Sequence, residues 1–167
     1  IRTHMKRVEN PDYHIPEEDD IKILIDGVKH KPDLYYGVLL AAFGSLRRSE
    51  ICGLDALDID REKGIIHVRR AVVQDQTNRW ITKVTKTKDS KRDVTMPKEV
   101  LDLLPTEGRV CKYTPGTLTN QFIIITKRLF GDQRFRLHDL RHYQASILHA
   151  LGVPDQYIMA RGGWRTD

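Results

Sequence analysis

Cysteine is scarce in this sequence, with only Cys52 and Cys111 among 167 residues. Two cysteines cannot form a disulfide framework, so we expect free or buried thiols in a reducing compartment. The chain also lacks an apolar run long enough to cross a bilayer, and its start does not resemble a signal peptide. These absences argue against a disulfide-stapled secreted domain or a membrane protein, and they predict a soluble cytoplasmic protein.

Clustered metal ligands are missing as well, although the chain contains 7 histidines. No group of histidines and cysteines, and no pair of adjacent carboxylates, has the spacing of metal ligands. The sequence therefore predicts no metal site and no cofactor, which argues against a metal-dependent nuclease.

Positive charge, by contrast, is in excess. Lys and Arg number 28 against 23 Asp and Glu, giving a net charge of +5, which suits a polyanionic partner. The length fits one domain, and neither a repeat nor a linker interrupts it. Residues 1–5 read as a cloning remnant, so we expect the domain to comprise residues 6–167. Asp167 has no helix-ending signal before it, which predicts that the domain is truncated there.

The hydrophobic periodicity predicts a mainly α fold with a small three-stranded antiparallel sheet. Proline, acid and glycine signals place helices at about 16–29, 32–44, 45–53, 97–104, 116–131, 137–152 and 155–160. Ser45 is the expected cap of the third helix. Strands are expected at 65–68, 80–84 and 93–96, with a basic hairpin turn at 86–91 joining the last two.

One helix start combines a histidine and an arginine. In the stretch Leu137-His138-Asp139-Leu140-Arg141-His142, His138 and Arg141 are three residues apart and share a helix face. A planar guanidinium can bind phosphate oxygens through two hydrogen bonds, and an imidazole can move a proton near neutral pH. On its own this pair would more often be a surface feature of an amphipathic helix.

Two other segments carry cations without an obvious local partner. Arg47 lies in the first turn of a short helix, where the helix dipole disfavours a positive charge unless an anion or an acid offsets it. Lys86 lies in the predicted hairpin turn. If the fold brings these segments to the His138–Arg141 pair, the cations could bind the phosphate of a nucleic acid.

The order of these motifs resembles the catalytic domain of the tyrosine recombinases, the phage integrase family. Leu46-Arg47-Arg48-Ser49-Glu50 is followed by a basic hairpin, then by the His-x-x-Arg pair, then by Gly163-Trp164. The resemblance covers the chain from about Asp19 onward. It implies a site-specific DNA recombinase or integrase that cleaves and rejoins DNA through a covalent phosphotyrosine.

The resemblance also implies roles for individual residues. Arg47, Lys86, His138, Arg141 and Trp164 match catalytic positions, and Glu50 matches the acidic residue that supports the first arginine. Lys88 is the alternative to Lys86, because hairpin length varies. Cations near these positions are expected to contact the DNA backbone, namely Arg48, Lys83, Lys88, Lys91 and Arg92. His142 is expected to be structural.

No tyrosine in the chain matches the family's nucleophile, which follows the His/Trp position. Tyrosines occur only in other contexts, at positions 13, 35, 36, 113, 143 and 157, so the nucleophile is expected beyond Asp167 and this fragment is expected to be inactive. For the full-length protein the resemblance implies double-stranded DNA as partner and a homotetramer on paired sites. It further implies an accessory DNA-bending or directionality protein and a bacterial, prophage or mobile-element origin.

Three other interpretations are open. The full-length protein could be a DNA-binding module of the same fold that performs no chemistry. It could also be a type IB topoisomerase-like enzyme, which shares the covalent chemistry but relaxes DNA. The third alternative is an RNA-binding or purely structural basic domain. A downstream tyrosine separates the first alternative from an enzyme, and relaxation without recombinant products would favour the second.

Overall fold

The computed structural model describes residues 15–85, 91–150 and 152–163. The helices are α1 (Glu18–Val28), α2 (Pro32–Gly44), α3 (Arg48–Gly53), α4 (Lys98–Leu101), α5 (Pro115–Phe130), α6 (Leu137–Ala150) and α7 (Asp155–Gly162). The strands are β1 (Ile59–Asp60), β2 (Ile65–Val68), β3 (Arg70–Gln74), β4 (Trp80–Val84) and β5 (Arg92–Thr95). A 3₁₀ turn, Ala56–Asp58, precedes β1.

Helix α2 forms the centre of the core. Five successive residues from Val38 to Ala42 are at most 2% exposed. α2 packs against α1 on one side and against α6 on another, while α5 packs against α1 and α3. A helix surrounded in this way must be apolar on nearly all sides. Among the described residues, no helix is both long and apolar enough to span a bilayer.

The end of α2 differs from the prediction that Ser45 caps the next helix. Ser45 instead follows α2 in the left-handed conformation, with φ 55°, and its N–H donates to the carbonyl of Leu40. The N-cap of α3 is Arg47, whose N–H donates to the Glu50 carboxylate at 2.9 Å. The left-handed residue turns the chain sharply, so α3 begins beside the C-terminal end of α2.

The described strands form two sheets, and the predicted hairpin between the last two predicted strands is wrong. β5 pairs with β2 in a three-stranded antiparallel sheet of order β1-β2-β5. β4 pairs with β3, a strand that the sequence analysis missed. The turn between β3 and β4 is fixed by Asp75, whose carboxylate accepts from the N–H groups of Thr77 and Arg79 at 2.8 and 3.0 Å.

Local signals explain the bounds of α5 and α6. Thr114 caps α5 by accepting from the N–H of Thr117, and Gly131, with φ 79°, ends it. In α6, the first-turn Asp139 accepts from the N–H of Arg136 at 2.7 Å. A carboxylate stabilises the N-terminal end of a helix, so the helix that carries His138 starts at a defined point.

Candidate active site

A cavity of about 440 Å³ lies between α3, α5 and the start of α6. Arg47, His138 and Arg141 all line it, so the fold brings the first arginine to the His-x-x-Arg pair. Its remaining wall is partly apolar, with Leu46, Phe122 and Leu137. Two arginines and an imidazole that line one cavity can surround an anion, and apolar walls strengthen each charge contact by excluding water.

Arg47 is held at two points. Its Nη1 donates to Oε1 of Glu50 at 3.0 Å, and its Nη2 donates to the carbonyl oxygen of Gly163 at 2.6 Å. The side chain is nevertheless 36% exposed. Arg47 is therefore oriented by the protein while still reaching the cavity.

Arg141 is more deeply placed, with 2% of its surface exposed. Its Nε donates to the carbonyl oxygen of Ser45 at 2.9 Å, and its Nη2 donates to that of Gly162 at 2.6 Å. Burial and, after it, the charge of Arg47 lower the pKa of Arg141 to about 10. Arg141 thus remains a cation at neutral pH, and its charge is balanced in part by main-chain dipoles.

Two helix C-termini account for the clustering of these cations. Phe43 and Ser45 supply carbonyls at the end of α2, which accept from Arg161 and Arg141. At the end of α7, three successive carbonyls, those of residues 161, 162 and 163, accept from Arg92, Arg141 and Arg47 respectively. The C-terminal end of a helix carries partial negative charge, which stabilises the cations that converge there.

Glu50 is the carboxylate at the centre of this cluster and is 3% exposed. Burial alone would raise its pKa, but the hydrogen bonds and charge of Arg92, followed by those of Arg47, hold the pKa of Glu50 below its ordinary value of 4.5. Glu50 is therefore ionised at neutral pH and partners two arginines at once. The supporting role of Glu50 stays a prediction.

The structure disagrees with the prediction that Arg92 contacts the DNA backbone. Its side chain is 7% exposed and donates to both oxygens of Glu50, at 2.8 and 2.9 Å. A guanidinium with two bonds to a buried carboxylate is not available to a phosphate on the surface. Arg92 instead belongs to the interior of the site.

His138 lies at the mouth of the cavity with an exposed side chain. Partial desolvation by the surrounding protein lowers its pKa, and the charges of Arg141 and His142 lower it further. His142 packs against it edge to face, with ring centroids 5.1 Å apart. His138 is consequently neutral at neutral pH and can accept a proton or a hydrogen bond.

The other predicted residues divide into three groups. Arg48 lines the cavity and donates to Oγ1 of Thr119 at 2.9 Å, whereas Lys83 on β4 and Lys91 before β5 are exposed and do not line the cavity. Lys86, Lys88 and Trp164 lie outside the described residues. Arg136, which was not among the predicted residues, lines the cavity two residues before His138. The positive charge of Arg136, so near the His-x-x-Arg motif, was the sequence feature that could have indicated its place at the cavity.

Comparison with known proteins identifies the family. The model of the phage integrase family matches residues 17–167. No curated protein matches the chain. Several solved structures share the fold at low sequence identity. The chain spans about three fifths of the length of the Tn1549 transposon integrase chain.

The Tn1549 transposon integrase, solved with a circular-intermediate DNA, superposes with a TM-score of 0.80 at 15% identity, covering 95% of this chain and 60% of that chain. The lambda integrase tetramer bound to a Holliday junction gives 0.60 at 20% identity, with coverages of 93% and 48%. The catalytic domain of bacteriophage HP1 integrase gives 0.64 at 23% identity, with coverages of 93% and 83%. With the family model matching most of its length, the chain belongs to the phage integrase family.

Proposed function

We propose that this chain is the catalytic domain of a site-specific DNA recombinase, which cleaves and rejoins DNA through a covalent phosphotyrosine. The observation that carries the proposal is the meeting of Arg47, His138 and Arg141 at one cavity. The nucleophilic tyrosine is proposed to lie beyond residue 167. In this proposal the chain alone binds DNA but does not cleave it.

The two arginines suit the charge that develops during the reaction. Attack on a phosphodiester places negative charge on the nonbridging oxygens, and fixed guanidinium groups stabilise that charge more in the transition state than in the ground state. Arg47 and Arg141 are held by carbonyl oxygens before any ligand binds. This preorganisation supports their assignment as the phosphate clamp.

Proton transfer is assigned to neighbouring groups. Neutral His138 is suited to accept a proton from the attacking hydroxyl or to bind a phosphate oxygen through a donated N–H. Lys86, with Lys88 as the alternative, is proposed to protonate the departing sugar oxygen, and the indole N–H of Trp164 to bind the phosphate. Because the phosphotyrosine conserves the energy of the broken bond, rejoining requires no nucleotide.

Contacts with the rest of the duplex are assigned to exposed cations. Arg48 at the cavity edge and Lys83 and Lys91 outside it are proposed to contact backbone phosphates. Such contacts contribute an affinity that falls as salt is added. The logarithm of the binding constant decreases with the logarithm of the salt concentration, with a slope of about 0.9 per neutralised phosphate. A duplex-binding titration at several salt concentrations tests them, and Lys83→Gln should reduce the slope by about 1.

Double-stranded DNA is the proposed partner, and a homotetramer on paired sites is the proposed assembly of the full-length protein. The Tn1549 integrase was solved with DNA and the lambda integrase as a tetramer on a Holliday junction, and their shared fold supports both proposals. An accessory DNA-bending or directionality protein is proposed from the resemblance to the family alone. A cytoplasmic location in a bacterium carrying a prophage or mobile element belongs to the same proposal.

A plasmid assay tests the proposed reaction. Selection from random duplexes with the full-length protein first supplies its binding site. The protein is then incubated with a supercoiled plasmid carrying two copies of that site. Recombinant products support the recombinase, whereas relaxation alone favours a topoisomerase-like enzyme. Binding that gives neither product favours a non-catalytic DNA-binding module.

A further inference from the structure

We propose that Arg92 is a positioning residue of this site, which acts through Glu50 to keep the charge and orientation of Arg47 available to a phosphate. The inference rests on the proposed function, because it names a residue that prepares the proposed phosphate clamp. Arg92 is not proposed to touch the DNA. Its effect passes through one buried carboxylate and one helix end.

The first link is the contact between Arg92 and Glu50. Arg92 donates from Nη1 to Oε1 and from Nη2 to Oε2 of Glu50, at 2.8 and 2.9 Å, and the two side chains are 7% and 2% exposed. Arg47 donates to the same Oε1 from Nη1 alone, at 3.0 Å. Glu50 therefore has a two-point side-chain partner inside the protein, whereas the Arg47 side chain makes one contact with it and the Arg47 main-chain N–H makes a second, to Oε2 at 2.9 Å. The inner partner fixes the plane of the carboxylate to which Arg47 binds.

The second link is electrostatic. A buried carboxylate with a single cationic partner holds that cation strongly, because little water screens the pair. If Arg47 were the sole partner of Glu50, the carboxylate would neutralise the charge of Arg47 and would draw the Arg47 side chain toward the protein interior. Arg92 shares the negative charge of Glu50 by donating to both carboxylate oxygens. Glu50 then balances the charge of Arg47 only in part, and Arg47, which lines the cavity, retains positive charge for a phosphate.

The third link runs through α7. Arg92 donates from Nε to the carbonyl oxygen of Arg161 at 2.8 Å, and the carbonyl two residues later, on Gly163, accepts from Arg47. Arg161 is itself fixed, because its Nη2 donates to the carbonyl oxygen of Phe43 at 2.8 Å. Arg92 thus supports both acceptors of Arg47, the carboxylate of Glu50 and the end of α7.

An ordinary structural ion pair would hold the fold together without affecting Arg47, so the test must observe Arg47 itself. The heteronuclear NOE of its guanidinium Nε–H, measured by ¹⁵N NMR in this chain and assigned with Arg47→Lys, reports side-chain order. Titration with inorganic phosphate, followed by the same signal, reports affinity. Neither readout requires DNA cleavage, so both stand if the recombinase proposal fails.

Arg92→Gln should lower the Arg47 NOE and weaken phosphate binding about tenfold, the effect of one charge-assisted hydrogen bond. Adding Glu50→Gln should recover part of that affinity, because the double variant no longer contains the carboxylate that captures Arg47. If Arg92 and Glu50 only stabilise the fold, the second substitution should weaken phosphate binding further. The control is Arg61→Gln, which removes another partly buried arginine that donates to the Pro105 carbonyl at 2.8 Å, away from the cavity.

Arg92→Lys provides the same test if Arg92→Gln does not fold. It keeps the neutralising charge but loses the two-point contact, so the Arg47 NOE should fall and phosphate binding should weaken about threefold. An unchanged NOE and an unchanged phosphate affinity in either folded variant would overturn the proposal. So would an equal loss in Arg61→Gln, because Arg61 does not contact Glu50 or Arg47.

Discussion

Arg141 donates to the carbonyl oxygen of Gly162 at 2.6 Å, across 21 residues, and so fastens the end of α7 to the start of α6. Arg47 donates to the next carbonyl oxygen, on Gly163, and so fastens the end of α7 to the start of α3. The two arginines assigned to the phosphate therefore also help to anchor the end of α7. Their placement and the placement of this helix end depend on each other.

Arg141→Lys should destabilise the domain as well as the site. A lysine cannot donate to the carbonyls of Ser45 and Gly162 in the same geometry, so at least one buried acceptor loses its partner. We expect a loss of about 2 kcal/mol in the free energy of unfolding. Urea unfolding measures it, and a stability equal to that of the wild type would contradict the carbonyl contacts.

The stability of the domain should depend on the ionisation of Glu50. Its pKa is lowered in the folded state, so the folded state releases this proton more readily than the unfolded state. The resulting stability is present above about pH 4.5 and is lost as the pH falls through the lowered pKa. Glu50→Gln should therefore be less stable at neutral pH, by about 3 kcal/mol, and should lose less on acidification. If the free energy of unfolding falls with pH at the same rate in the wild type and in Glu50→Gln, Glu50 is not the group responsible.

His138 should titrate below its ordinary pKa of 6.5, because desolvation and then the charge of Arg141 lower it. The neutral form persists as the pH falls to 6.5, so a reaction step that uses His138 as an acceptor should not weaken until lower pH. Arg141→Met should move the midpoint up toward 6.5, since the second cause is removed. Histidine ring signals in NMR titrations measure both values. A wild-type midpoint at or above 6.5 would rule the prediction out.

The packing of α3 on the β3–β4 hairpin gives a prediction at Gly53. A Cβ there would lie 3.0 Å from the carbonyl oxygen of Arg70 and 3.2 Å from the Cα of Ala71, both main-chain atoms that cannot move independently. Gly53→Ala should cost about 1–3 kcal/mol and disturb Glu50 on the same helix. The control is Gly116→Ala, whose Cβ would be in ordinary contact with Trp80 at 3.4 Å. Equal melting temperatures for the two variants would contradict this close approach.

Much of the site could be predicted because its signals are local. The three-residue spacing of His138 and Arg141 places them on one helix face, and the unfavourable charge of Arg47 at a helix start indicates a partner. A local signal for Arg92 also existed. Val94 is fully buried, and Arg92 lies two residues before it on β5, so strand alternation places both on the inner face. Arg92 therefore shares the buried face of β5 with Val94, and its charge alone does not indicate this.

The rest depended on contacts distant in sequence. Arg141 reaches Ser45 across 96 residues and Arg47 reaches Gly163 across 116, in both cases through main-chain carbonyls that carry no sequence signal. The pairing of β5 with β2 is similarly non-local, whereas the turn signal at Asp75 and Thr77 would have indicated the β3–β4 hairpin. Local patterns specify faces and turns, but not which strands become neighbours.

The most direct test of the shared phosphate site is the covalent protein–DNA adduct formed by the full-length protein on a nicked duplex carrying its binding site. Arg47→Gln and Arg141→Gln should each reduce adduct formation at least about 100-fold, while duplex affinity in the same preparations changes little. Loss of both DNA binding and adduct would indicate a binding defect. Adduct formation at the wild-type rate by either variant would contradict the assignment of these arginines to the reacting phosphate.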